Sequence, residues 1–217
     1  ASQEASKAIE WAPHYRITDD YVEELMFGGY EAPDQKDMEF RRKYFPLLER
    51  NAGEDGLVVA FIDDQVGWGC YAAKPFAKGD FIVGYTGAFV SKKLQKFRDY
   101  AMACSLDAIV LDASKHRNLG AFINHSAQPN AEAQAVFDKG IDRIVITAAK
   151  AIPIGQQICI DYGTAYFKTK TSKTKGDKKD DKSPLASYSD MLANVASKQM
   201  PSTLPAEIVQ ELTSRHA

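Results

Sequence analysis

Residues 121–134 read AFINHSAQPNAEAQ: an apolar run meets the triplet Asn124, His125 and Ser126, with the pair Pro129 and Asn130 just beyond. Core packing has no use for such a triplet, and buried polar groups are costly unless they find partners. Either Asn124 and Ser126 satisfy nearby backbone and close a turn, or the triplet holds something. Outward from it, the texture from Leu57 onward is one of short runs rich in Val, Ile, Phe and Tyr: LVVAFI, GCYAA, FIVGYTGAFV, AIVLDA, RIVITAA and QICIDY. Runs of this length broken by Gly and Asp predict strands arranged in several small sheets. Between them, residues 91–105 (SKKLQKFRDYAMACS) put Leu94, Phe97, Ala101 and Cys104 at helical spacing, which predicts one inserted helix.

The flanks differ from this β-rich body. Residues 1–56 read as a helical preface. Thr18 can cap DDYVEELMF ahead of Gly28, and Asp37 can open MEFRRKYFPLLER, where Phe40, Tyr44, Leu47 and Leu48 share a face and Pro46 kinks the helix. Residues 168–182 carry seven Lys and three Asp with nothing apolar, the composition of a mobile linker that cannot offset its ordering entropy. Beyond it, Ser183 and Pro184 can start a helix striped by Leu185, Tyr188, Met191, Leu192 and Val195. A second helix, with Ile208, Val209 and Leu212, follows Pro205. Two short amphipathic helices need a surface, so they should dock on the body or pair with a second subunit in a homodimer.

At 217 residues, 45% hydrophobic and 26% charged, the chain predicts one globular body with appendages. Its net charge of −2 argues against a surface devoted to nucleic-acid backbone. Cys70, Cys104 and Cys159 form no C-x-x-C pair, so the expectation is free thiols and no metal site. No run approaches the length of a membrane span and no secretion signal is visible, which predicts a soluble protein, cytoplasmic or exported without a classical signal.

Three segments can carry chemistry. Residues 66–87 hold Gly67, Trp68 and Gly69, a spacing that lets backbone approach a ligand, though a tight hairpin also explains it. They continue through the turn Lys78, Gly79 and Asp80 to Tyr85. The second segment is the opening stretch. The third, residues 149–167, turns at Pro153 and Gly155 and delivers Asp161 and Tyr162 to Gly163. Singly, each tyrosine reads as strand packing. Jointly the order G-x-G, K-G-D, Y-x-G, F-I-N-H-S with P-N, and D-Y-G resembles the SET-domain protein-lysine methyltransferases over residues 57–167. The compact bacterial and viral members without zinc clusters are the nearest in pattern.

The resemblance implies a mainly β fold, the β-clip of small curved sheets with a knot-like crossing of the N-H-S and D-Y segments. It implies that Gly67, Trp68 and Gly69 cradle the aminoacyl end of S-adenosylmethionine and that Asn124 and His125 grip that cofactor together with Tyr162. Tyr85 and Tyr162 would form the floor of the lysine channel, Tyr162 as the catalytic tyrosine, with Ile160, Tyr166 and Phe167 as channel walls. It further implies histones or histone-like proteins as substrates, possession of the fold without turnover and a non-histone target being the alternatives. Some positions depart from the pattern. Ala127 stands where a cysteine often follows N-H-S, Ala88 replaces a frequent acid, and Gly120 and Ala121 replace a frequent Ala-Arg. Ile160 occupies a position where Phe or Tyr limits the number of methyls, so the pattern favours di- or trimethylation.

Overall fold

The computed structural model describes residues 10–11, 16, 35–64, 66–93, 100–104, 108–138, 141–163 and 203–215. The strands are β1 (Glu10–Trp11), β2 (Leu57–Asp63), β3 (Gly67–Ala72), β4 (Phe81–Tyr85), β5 (Ala88–Ser91), β6 (Ala101–Ala103), β7 (Ile109–Asp112), β8 (His116–Arg117), β9 (Asn124–His125), β10 (Ala131–Asp138), β11 (Ile141–Ala148) and β12 (Cys159–Ile160). Two α-helices flank them, α1 (Gln35–Glu49) and α2 (Ala206–Arg215). The strands divide among small sheets: β2 with β3, β10–β11–β4, β5–β7–β6, and the parallel pairs β1 with β8 and β9 with β12. The fold is thus mainly β with helices at its flanks, as the resemblance implied.

Each anticipated run contains a strand, but FIVGYTGAFV divides. Phe81–Tyr85 joins β11, while Ala88–Ser91 joins β7. The chain changes sheet at Thr86 and Gly87, where Arg16 donates its N–H to the Gly87 carbonyl at 2.9 Å. A side chain at Gly87 would meet the main chain of Asp112, its Cβ falling 2.8 Å from that carbonyl oxygen, so only glycine fits between the two sheets.

Where residues 91–105 are described, they carry strand and turn rather than helix. Ser91 ends β5, and Ala101–Ala103 pairs with β7, Ala101 opposite Asp112 and Ala103 opposite Val110. Backbone pairing across this sheet overrides the helical spacing of Ala101 and Cys104. Leu94 and Phe97 lie outside the described residues. The preface is likewise not purely helical, because Glu10–Trp11 pairs in parallel with His116–Arg117. The helix proposed after Thr18, the Lys-rich 168–182 segment and the helix after Pro184 also lie outside the described residues.

The main core fills the space between sheets with Ile82, Phe89, Ile109, Leu111, Ile146 and Ile158, all fully buried. Against β4, Gly84 leaves room for Leu48 of α1, whose Cδ2 would lie 2.4 Å from an added Cβ. A second cluster joins Tyr71 and Ala73 to Leu204 and Leu212, with Val209 packed alongside. Here the second of the anticipated terminal helices docks on the body. Leu204 N–H donates to the Gly155 carbonyl at 2.8 Å, and Val209 packs against Gly155, whose φ of +79° makes the turn that was expected there.

Candidate active site

The site forms where β9 and β12 run side by side. Asn124 pairs with Cys159 and His125 with Ile160, and Ser126 N–H continues the ladder to the Ile160 carbonyl at 3.0 Å. Residues far apart in sequence are thereby adjacent in parallel, so N-H-S and D-Y pass by each other. Asn130 clamps the pair from behind. Its Nδ2 donates to the Gln157 carbonyl at 2.8 Å, and its Oδ1 accepts from Cys159 N–H at 2.8 Å. The side chain is buried and satisfies two strand-edge groups that would otherwise be orphaned.

Asn124 reaches away from its own turn, its Nδ2 donating to the Trp68 carbonyl at 3.0 Å. The G-x-G hairpin is thereby tied to the N-H-S segment. Ser126 does take the turn role, its Oγ accepting from Gln128 N–H at 3.0 Å. His125 uses Nδ1 to accept the Tyr162 N–H at 3.1 Å, and the two rings lie 5.5 Å apart at a tilt of 52°. Nδ1 also lies 3.6 Å from Asp161 Oδ1. A nitrogen that accepts an N–H carries no proton itself, so this is the contact of a neutral imidazole rather than an ion pair. Burial, the dominant influence, pushes His125 below its usual range, and the neighbouring Asp161 opposes it only in part.

Gly67, Trp68 and Gly69 all lie in β3, so the hairpin reading is correct as far as it goes. Its turn is held by Asp63 Oδ1, which accepts from Val66 N–H at 2.7 Å. The two glycines are needed for different reasons. Gly67 has φ +79° and would point a Cβ into open space, whereas a Cβ on Gly69 would strike Ile62 Cδ1 at 2.6 Å. Trp68 is 52% exposed and meets Phe61 edge to face at 5.6 Å.

The two tyrosines come from different parts of the fold, Tyr85 from the end of β4 and Tyr162 from the segment just after β12. Tyr85, buried at the end of β4, donates its phenol proton to the Tyr100 carbonyl at 2.7 Å. Tyr162 donates its own to the Ile123 carbonyl at 2.8 Å and packs against the main core. Burial raises Tyr85 well above the ordinary phenol range, with Tyr162 close enough to add to the effect, so Tyr85 stays a neutral phenol. Ile160 is buried in the same core. Tyr166 and Phe167 lie outside the described residues.

The sequence reading missed Tyr100, which anchors Tyr85 through a main-chain atom and so leaves no side-chain signal. It also gave Asn130 no role of its own. A polar residue directly after a proline and before a strand was the available clue. Burial pushes the thiols of Cys70 and Cys104 up and that of Cys159 up to about 11, so all three are poor nucleophiles.

Residues 67–163 match the family model described as the SET domain. The histone-lysine N-methyltransferase ash1 of Drosophila melanogaster is 32% identical over 129 residues, which is 55% of this chain and 6% of that protein. The histone-lysine N-methyltransferase EZA1 of Arabidopsis thaliana is 33% identical over 128 residues, covering 54% of this chain and 15% of the relative. For the N-lysine methyltransferase KMT5A-A of Danio rerio the figures are 29% over 136 residues, 56% and 39%. The chain thus matches only a limited part of each of these relatives. Among solved structures, ATXR5 in complex with histone H3.1 superposes with a TM-score of 0.55 at 17% identity, over 72% of this chain and 81% of that one, which is a likeness of fold. The strand pairing of N-H-S with D-Y and the match over 67–163 agree: the chain carries a SET domain, related in sequence to those of histone-lysine methyltransferases.

Proposed function

We propose that the chain is an S-adenosylmethionine-dependent protein-lysine N-methyltransferase acting on histones or histone-like proteins, with residues 57–167 as its catalytic unit. The relatives named above supply the substrate class. One observation carries the chemistry. Tyr85 and Tyr162 each spend their only hydroxyl proton on a main-chain carbonyl, so toward an amine both phenol oxygens act as acceptors. Two acceptors that take the N–H groups of a neutral lysine aim its remaining lone pair in one direction. Alignment of this kind is the main contribution a protein makes to an in-line displacement.

The residues present fit the cofactor. Open space at Gly67 and the Asn124 amide held against the Trp68 carbonyl leave a polar corner suited to an aminoacyl group, and neutral His125 adds an aromatic edge. Gly67, Trp68, Gly69, Asn124, His125 and Tyr162 would hold it. Bound there, S-adenosylmethionine supplies an electrophilic methyl group on a sulfonium centre. The chain's own share is to keep the lysine neutral. A free lysine has a pKa of about 10.4, and an apolar channel floored by Tyr85 and walled by Ile160 disfavours the ammonium form. No general base from the protein is then required.

Transfer of radiolabelled methyl from S-adenosylmethionine to core histones tests this reading, with Tyr162→Phe as control. Labelling by the native chain and its collapse in the variant support it. A folded native chain that labels no protein, in histones or in a whole lysate, overturns it.

A further inference from the structure

Behind the tyrosine floor sits a cation that this reaction scheme leaves idle. Arg117, on β8, is 5% exposed. Its Nη2 donates to the Ser114 carbonyl, and its Nε is buried without a hydrogen-bond partner among the described residues. No carboxylate among the described residues pairs with it, and the ion pairs of Lys74 with Asp55 and of Arg215 with Glu211 lie elsewhere. Instead its guanidinium lies 4.3 Å from the centre of the Tyr100 ring and 5.9 Å from that of Phe122. Cation–π contact offsets part of the cost of burying such a charge, but not its field. Arginine side chains carry their positive charge throughout the pH range in which proteins work.

Tyr100 is also the residue whose carbonyl holds the Tyr85 hydroxyl. Burial dominates the upward push on the Tyr85 phenol; among the described residues Tyr162, Asp112 from β7 and Tyr100 add to it, and Arg117 from β8 opposes it. Asp112 uses Oδ1 to accept from Ser114 N–H at 2.7 Å, so it faces the same turn that Arg117 braces. Further round the site, Asp161 and neutral His125 flank Tyr162, and Glu54 accepts from Leu119 N–H at 3.0 Å beside the Leu119–Phe122 turn.

We propose that Arg117 is a positioning residue of an electrostatic kind: its fixed charge behind Tyr85 disfavours the ammonium form of a lysine amine entering the tyrosine pair, and so sets the pH above which methyl transfer proceeds. The proposal rests on the methyltransferase reading. A like charge nearby lowers the pKa of an amine, and an opposite charge raises it. Removing Arg117 therefore moves the acid limb of the rate profile to higher pH, and removing Asp112 moves it to lower pH.

The experiment is the single-turnover rate on core histones at saturating S-adenosylmethionine, from pH 6.5 to 10, for the native chain and four variants. Arg117→Gln and Arg117→Met should raise the limb by about half to one unit, a loss of roughly three- to tenfold at a pH below it, with the plateau rate recovered at high pH. Arg117→Lys keeps the charge and should keep the native limb. Asp112→Asn should lower the limb, and it tests the idea even where the neutral Arg117 variants melt without cooperativity. An unmoved limb in the folded Arg117 variants with a uniformly lower plateau overturns the proposal, as does an unmoved limb in Asp112→Asn. Absence of transfer by the native chain instead defeats the methyltransferase reading itself.

Discussion

In the proposed reaction the hydroxyls of Tyr85 and Tyr162 would do the positioning, and each can be deleted without removing a ring. Tyr162→Phe should lower methyl transfer by about 100- to 1000-fold, the scale set by other positioned polar groups in active sites. The rate constant for transfer to core histones under saturating cofactor measures it. The variant keeps its ring packing against His125 but deprives the buried Ile123 carbonyl of its donor, so its thermal midpoint should fall by a few degrees while the fold is retained. His125 gives a prediction in stability rather than rate. Its pKa is depressed in the folded chain relative to the ordinary value of 6.5, so at pH below that value the unfolded state takes up the proton first. The imidazole's contribution is complete above about pH 6.5 and is lost as pH falls through its lowered folded value. Melting followed by circular dichroism between pH 7.5 and 5 should show this fall, and His125→Gln should flatten it.

Among the elements, the parallel pair β9 with β12 depends on one side chain. Asn130→Ala leaves the Gln157 carbonyl and the Cys159 N–H without their partner inside the body, and should cost about 2–4 kcal/mol in urea unfolding. What the sequence disclosed about elements follows from how strongly each pattern is local. LVVAFI and RIVITAA are β-branched and read as strands directly. β10 escaped notice because AEAQAVFD is rich in Ala, Glu and Gln, which have weak strand preference. Its extended form is imposed by unbroken pairing with β11 from Ala131 opposite Ala148 to Asp138 opposite Ile141. The opposite error occurred at 91–105, where apolar residues at helical spacing included Ala101, claimed by β7. The two-residue strands β1 and β8 are too short to have a period at all. The meeting of the N-H-S and D-Y segments was legible in their order along the chain, whereas Tyr100 holds Tyr85 through a carbonyl, and Arg117 would act through a field, that no motif records.

For the whole molecule, α2 is a graft onto the β2–β3 hairpin. Leu204 and Leu212 bury their side chains against Tyr71 and Ala73, and burying one such leucine is worth about 1.5–3 kcal/mol. Leu212→Ala should therefore destabilise the chain by about 2–4 kcal/mol, seen as a lower urea midpoint with little change in slope. The same hairpin carries Gly67, Trp68 and Gly69 on its second strand. A loosened α2 should weaken cofactor capture as well, which calorimetric titration of Leu212→Ala with S-adenosylmethionine would register as a higher dissociation constant.

The Asn124 amide spans 56 residues to reach Trp68, and the Tyr162 hydroxyl reaches back 39 residues to Ile123. On a ribosome these partners emerge at widely separated moments. A nascent chain halted before Cys159 would have its hairpin and its N-H-S segment but no partner strand to lay beside them. If the proposed function holds, translation must run past Tyr162 before a growing polypeptide can assemble the site, and a prematurely released product would be an inert fragment rather than a weak enzyme.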